Sequence, residues 1–272
     1  MGTSSIYGGP KKSNTLLPAD FTNGTTDDAS EIGTDGTPGQ VVVTSVVPWS
    51  TVKSDLSKII NSSNSGSGDH GSSLRHVARQ YVRASGGTNA LMSRADSGKR
   101  SGRALQGFFG SVSSNGIRKT LEDLHIEIVG KGAREIVSLL ANELAPVAVT
   151  KEDIVAREAT NDALAFVYGY IERNGMDIDC LDHMPQDLAD KSMLSFVQSY
   201  VWGTMQKDLQ SRYEMYGDDT ESAQRLKDEF KGIVRSTVDV EFSKDKSIFK
   251  TQTNSAIPNL IQKCFAALEG IE

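Results

Sequence analysis

Cysteine is nearly missing from this chain: its 272 residues hold two, Cys180 and Cys264. They have neither CxxC spacing nor company, so both read as reduced thiols, and a disulfide scaffold or a cysteine-built zinc site is excluded. No apolar run approaches the roughly 18 residues needed to cross a bilayer, and the start lacks the charged-then-apolar order of a secretory signal. These absences predict a cytoplasmic protein with no membrane partner. Histidine is scarce too. His70, His76, His125 and His183 are scattered, with no HExxH pair or GxSxG elbow, so no nucleophile, base and orienting group can be placed together. The chain is therefore expected not to be an enzyme and to hold neither metal nor cofactor of its own. Nor is its charge strongly one-signed: a net charge of -6 and a pI near 5.3 exclude a histone-like binder and an acidic tail.

What the sequence does have falls into two parts. From Met1 to Ser73, Gly, Ser, Thr, Asn, Asp and Pro make up 47 of 73 residues, a composition that buries too little apolar surface to offset its ordering entropy. This stretch, 1–73, reads as a flexible arm. Two islands in it are candidate docking segments, onto the body or onto a partner. One is 16–21, with Leu16 and Leu17; the other is 41–60, with Trp49 and then Val52, Leu56, Ile59 and Ile60 at amphipathic spacing. The run from Asn61 to Ser73 reads as a tether.

After Ser73 the period becomes helical, with Leu74, Val77, Ala78, Tyr81 and Val82 on one face. Further helices are expected at about 88–96, 99–113, 116–129, 132–144, 151–173, 186–215, 219–238 and 255–269. Thr150 before Lys151-Glu152-Asp153 makes a good start, because a hydroxyl cap is joined by acids in the positive first turn. Asn174-Gly175 makes an equally good stop. Val238 to Phe242 alternates like a strand, but one such piece does not make a sheet. Phe196, Tyr200, Trp202, Met205 and Leu209, with Ile257, Leu260, Ile261, Cys264, Phe265 and Leu268, are expected core. The fold class is mainly α, a compact multi-helix, bundle-like body over 74–272 behind the arm.

Charge is segregated within that body. Between Leu74 and Lys119 stand nine basic residues and one acid, Asp96, which is +8 in 46 residues, leaving -14 for the rest. Arg75, Arg79 and Arg83, four apart, form a stripe, and Lys99, Arg100 and Arg103 follow. Such a segment is a surface for an acidic protein or nucleic acid, or a solvated face meeting the chain's own acidic half. Ser97-Gly98-Lys99-Arg100-Ser101-Gly102-Arg103 invites comparison with a phosphate-binding loop, but Arg100 stands where Ser or Thr must hold magnesium and Ser93 where the first glycine belongs. It reads instead as a basic hinge between helices. Asp177, Asp179, Asp182 and His183 have metal-ligand chemistry, yet the calcium-loop pattern breaks at Leu181 and Asp182. The ordinary reading is a turn between helices with a cap from Asp177 or Asp182.

The first residues, Met1-Gly2-Thr3-Ser4-Ser5-Ile6, let the initiator methionine be removed, exposing a glycyl amine with an ordinary pKa of about 7.7–8.0 and no Cβ to bar it from a narrow pocket. N-myristoylation would want Ser or Thr where this chain has Ile6. The opening MGTSSIYGGP, the Leu-Leu-Pro segment, Trp49 ahead of a Ser/Gly tether, the block Leu74 to Arg83 ending in Ser85-Gly86-Gly87, and the helix Ile154 to Ala159 together resemble the QatB family of the bacterial four-gene Qat anti-phage defence system. The family's usual Pro-Trp after Leu-Pro is replaced by Ala19-Asp20-Phe21.

That resemblance implies partners: a KAP-type ATPase (QatA), a QueC-like enzyme (QatC) and a TatD-like nuclease (QatD). A QueC-like enzyme adenylates the carboxylate of a 7-deazaguanine and normally delivers ammonia to it. With the Gly2 amine in place of ammonia, the product is a 7-deazaguanine amide-linked to the protein, and Gly2, Thr3, Ser4 and Ser5 are the residues the partner enzyme would recognise. The expected function is thus a non-enzymatic defence subunit modified at Gly2. The alternative is a helical nucleic-acid-binding adaptor acting through 74–119.

Overall fold

Local signals are strongest around Thr150, and the structure follows them to the residue. In the computed structural model, which describes residues 47–63, 70–145, 147–214, 220–245, 248–249 and 255–270, a helix runs over Lys151–Arg173. Its start is a capping box: Asp153 N–H donates to Thr150 Oγ1 at 3.1 Å, and Thr150 N–H donates to Asp153 Oδ2 at 2.8 Å.

In chain order the helices are α1 Trp49–Ser63, α2 Gly71–Ala84, α3 Gly87–Ser93, α4 Asp96–Asn115, α5 Ile117–Asp123, α6 Ala133–Leu144, α7 Lys151–Arg173, α8 Gln186–Glu214, α9 Thr220–Lys244 and α10 Ala256–Glu269; a 3₁₀ turn over Ile178–His183 joins α7 to α8. Among the described residues there is no strand, so the fold is mainly α. Val238 to Phe242 belongs to α9, where Phe230, Val234 and Val238 are buried at helical spacing.

The body is organised on α8. Its buried residues include the consecutive runs Phe196–Val197 and Tyr200–Val201–Trp202, so it has no single apolar face. A helix apolar all round needs neighbours all round, and α8 has α7, α9, α4, α10 and α1. It runs antiparallel to α7, with Val155 against Gly203 near one end and Asp162 accepting from Ser199 Oγ further along. Trp202 meets Phe230 of α9 edge-on at 5.7 Å, and α10 packs against α2, α3, α4, α8 and α9.

Beside the helical Val238–Phe242, three departures from the sequence reading concern the arm and the end of α5. First, α1 is part of the core. Val52 and Leu56 are fully buried, Ile59 and Ile60 nearly so, and Trp49 stands edge-on to Tyr81 of α2 at 5.4 Å. The compact unit spans Ser45–Glu272, so the start expected at Leu74 lies inside it. Of the docking segment 41–60, the described part docks onto the body. Second, Asn61–Ser63 and Gly71–Ser73, expected as tether, are helical: they form the last residues of α1 and the first turn of α2. Third, α5 ends at Asp123, not 129. His125 takes a left-handed φ of 57° while Ile126 N–H reaches back to Leu121 O at 2.8 Å, which closes the helix and turns Ile126 into the core.

Candidate functional site

The basic segment spreads over four helices, α2 to α5, and none of them begins with a local side-chain cap. The residues in the N-cap position of α3, α4 and α5 are Gly86, Ala95 and Gly116, none of which supplies a side-chain acceptor. Each start is capped instead by a carboxylate from the acidic part of the chain. At α3, Thr88 N–H and Oγ1–H both donate to Glu269 Oε2, at 3.0 and 2.7 Å. At α5, Ile117 N–H donates to Asp182 Oδ1 at 2.6 Å.

The α4 start is the most elaborate. Ser97 N–H donates to Glu152 Oε2 at 3.0 Å and Gly98 N–H to Glu152 Oε1 at 2.7 Å. Tyr200 O–H donates to the same Oε1 at 2.8 Å, and Ser97 Oγ–H donates to Asp153 Oδ1 at 2.5 Å. The Ser97 hydroxyl, followed by Thr150, holds the Asp153 carboxyl at about 2, below the ordinary range. Burial and the Glu152 carboxylate both raise the Tyr200 phenol, which stays neutral and donates. A helix start favours an anion through its free N–H groups and dipole; here Glu152 fills the place a phosphate would take. The run Ser97 to Arg103, expected as a hinge, is therefore helical, within the first turns of α4. Its glycines serve packing: a β-carbon on Gly98 would overlap the Tyr200 ring, and one on Gly102 would sit 2.5 Å from Ile257 Cγ2.

The acidic run after α7 is a turn with caps. Asp177 accepts from Asp179 N–H at 2.9 Å, Asp179 pairs with Arg118 at 2.6 Å, and Asp182 serves α5. Among the described residues no group of three His, Cys, Asp or Glu could hold a metal ion. Cys180 and Cys264 are free thiols, and burial pushes both up, so neither is activated as a nucleophile. An open cleft of about 700 Å³ between α4 and the start of α8 has one carboxylate in its lining, and that is Asp182, already bonded to α5.

The cations divide along the segment. Toward its end they are engaged at home. Arg94 donates to Ser85 O and Ala90 O, Lys99 pairs with Asp96 at 2.7 Å, Arg100 reaches Ser97 Oγ at 3.3 Å, and Lys119 meets Glu122 and Asp123 at 3.0 Å each. Arg103 is exposed on α4. On α2 the pattern differs: Arg75, Arg79 and Arg83 are all exposed, and none forms an ion pair among the described residues. Helices α2 and α4 both pack against α10.

Of the remaining sequence candidates, Trp49 is half-buried against α2, while Gly2, Thr3, Ser4, Ser5, Leu16 and Leu17 lie outside the described residues. Sequence reasoning missed Glu152, Glu269 and the reach of Asp182 to α5. The readable signal was the empty cap positions before α3, α4 and α5.

No helix among the described residues is long and apolar enough to cross a membrane. No curated protein and no solved structure matches the chain. The model of the family described as Qat anti-phage system associated protein QatB matches residues 86–268, about two thirds of the sequence, taking in the three externally capped helices and the α7–α10 body. The chain belongs to the QatB family, and its role lies in the Qat anti-phage system.

Proposed function

We propose that this protein is a non-enzymatic subunit of a Qat defence complex, and that the Gly2 amine is the acceptor for a 7-deazaguanine supplied by a QueC-like partner enzyme. The observation that carries the reading is the Gly2-Thr3-Ser4-Ser5 start in a chain of the QatB family. The partner would use ATP to turn the 7-carboxylate into an acyl-adenylate, releasing pyrophosphate. The Gly2 nitrogen attacks the acyl carbon, a C–N bond forms, the C–O bond to AMP breaks with its electron pair leaving on AMP, and the amine proton passes to solvent. With an ordinary pKa of about 7.7–8.0, a useful fraction of a terminal amine is unprotonated near neutral pH. The absence of a β-carbon suits a narrow acceptor channel.

The passive role in this reaction is supported by what the body's reactive groups are doing. Its thiols are raised by burial, and Glu152, Asp153, Asp182 and Glu269 are committed to helix starts. The KAP-type ATPase and TatD-like nuclease are the other components this reading includes. The test is intact mass after co-expression with an active QueC-like partner: a Gly2 start carrying the mass of a deazaguanine amide is expected, and Gly2→Pro should abolish it. Only the unmodified Gly2 start, or an adduct that persists in the Gly2→Pro protein, overturns the proposal.

A further inference from the structure

The α2 stripe is unlike the rest of the basic segment, and it does not depend on the Gly2 reading. Leu74, Val77, Ala78, Tyr81 and Val82 point α2 into the core, which turns Arg75, Arg79 and Arg83 outward together. At 1.5 Å rise per residue they stand about 6 Å apart along the axis, over about 12 Å. Within α2 there is no acidic residue to interleave with them. The carboxylates that cap helix starts from the acidic part of the chain go to α3, α4 and α5, and Asp208, which reaches α2, accepts from the Tyr81 hydroxyl at 2.9 Å, not from an arginine. Like charges four apart on a helix repel, and none of the three arginines forms an ion pair among the described residues. Arg79 is held in place: its guanidinium lies over the end of α10, where a β-carbon on Gly270 would come within 2.9 Å of Nε. A row of exposed guanidinium groups with no ion pair among the described residues presents bidentate donors at the repeat of one helical turn.

We propose that this face of α2 docks an acidic helix of a partner protein, one with carboxylates at i, i+4 and i+8. Three observations favour a protein over nucleic acid. The stripe spans three charges, enough for a helix-on-helix contact but short for a phosphate-tracking groove. The large aromatics beside it, Trp49 and Tyr81, are turned into the body, and the exposed ring on α2, His76, is tied through its Nε2 to Gln80 Nε2 at 2.8 Å. The chain's net charge of -6 repels a long polyanion, while a local acidic face feels mainly charges within a Debye length of about 8 Å.

The test uses the full chain and fluorescence anisotropy at about 0.15 M salt. The probes are a helical peptide with Glu at three positions four apart, a peptide of identical composition with its glutamates dispersed around the helix, and 20-nucleotide single-stranded and duplex DNA. The face-patterned peptide should bind at least about tenfold more tightly than the dispersed one. Replacing Arg75, Arg79 and Arg83 by Ala should remove that preference, as should Arg75→Ala with Arg83→Ala, which leaves the α10 contact of Arg79 intact. The triple Glu variant should prefer a Lys-patterned peptide instead. Equal binding of the two acidic peptides, no binding of either, or a preference unchanged in both Ala variants overturns the proposal. DNA that binds more tightly than the patterned peptide and is lost in the variants overturns it too, in favour of a nucleic-acid surface.

Discussion

Removing the Glu152 carboxylate should cost more than an exposed cap would, because it holds three donors from two helices. In the native chain it accepts Ser97 N–H, Gly98 N–H and the buried Tyr200 O–H. Glu152→Ala leaves the start of α4 with uncapped N–H groups, worth about 1 kcal/mol by analogy with N-cap deletions. It also strands the Tyr200 hydroxyl in a residue that is 1% exposed, which adds roughly 1–3 kcal/mol. The expected loss is about 2–4 kcal/mol, a substantial share of the 5–15 kcal/mol typical of a domain. Glu152→Gln keeps one carbonyl acceptor and should lose about half as much. A double-mutant cycle isolates the mechanism. Tyr200→Phe should destabilise the native background by about 1 kcal/mol, yet be neutral or stabilising beside Glu152→Ala, where the hydroxyl it removes is already orphaned. Urea unfolding followed by helical circular dichroism measures all four proteins, with an unchanged m-value confirming that stability alone has moved. An alanine variant within about 0.5 kcal/mol of wild type, or a Tyr200→Phe effect equal in both backgrounds, would refute the shared-carboxylate account.

Two further outcomes follow from the packing. A chain starting at Val46 should unfold cooperatively, whereas one starting at Ser72 should not: it loses the burial of Val52, Leu56, Ile59 and Ile60, roughly 6–12 kcal/mol gross at about 1.5–3 kcal/mol each. An undiminished urea midpoint for the shorter chain would count against α1 as core. On α4, Gly98→Ala should destabilise by at least about 1–3 kcal/mol through collision with Tyr200, while Gly107→Ala, with nothing within 4 Å of the new β-carbon, should stabilise by up to about 1 kcal/mol through helix propensity. Thermal melts in which both substitutions move the midpoint the same way would contradict that contrast.

The parts of this fold that were legible in the sequence are those decided within a few residues. α7 was read at both ends because Thr150, Asp153 and Asn174-Gly175 act locally. α8 and α10 were read from long apolar patterns. α1 is half legible: the amphipathic spacing of Val52, Leu56, Ile59 and Ile60 shows in the sequence, but the Ser, Gly, Thr and Asn around it read as arm, and burial in the body is decided by contacts with α2, α8 and α9. The end of α5 escaped because the left-handed turn at His125 is fixed by the burial of Ile126, a tertiary event.

Charge segregation was visible at once, but its meaning was not, because it resolves differently at the two ends of the basic segment. Over α3 to α5 it is an internal complementarity. Helices opening on Gly86, Ala95 and Gly116 lack a cap of their own, and carboxylates distant by 54 to 181 residues complete them. Such contacts cannot form until α7, the turn after it and α10 have packed, so they tie the first half of the body to the last and reward only the assembled fold. On α2 the three arginines form no ion pair among the described residues, and the carboxylate that reaches the helix, Asp208, bonds the Tyr81 hydroxyl. The buried face of α2 and the bonds from Tyr81 to Thr204 O and Asp208 secure the helix, so the exposed Arg75 and Arg83 are open to selection for what they meet outside it. A change of charge at Glu152 or Glu269 should therefore read out as stability, and a change at Arg75 or Arg83 as association, which is how the two halves of one basic segment can be told apart in solution.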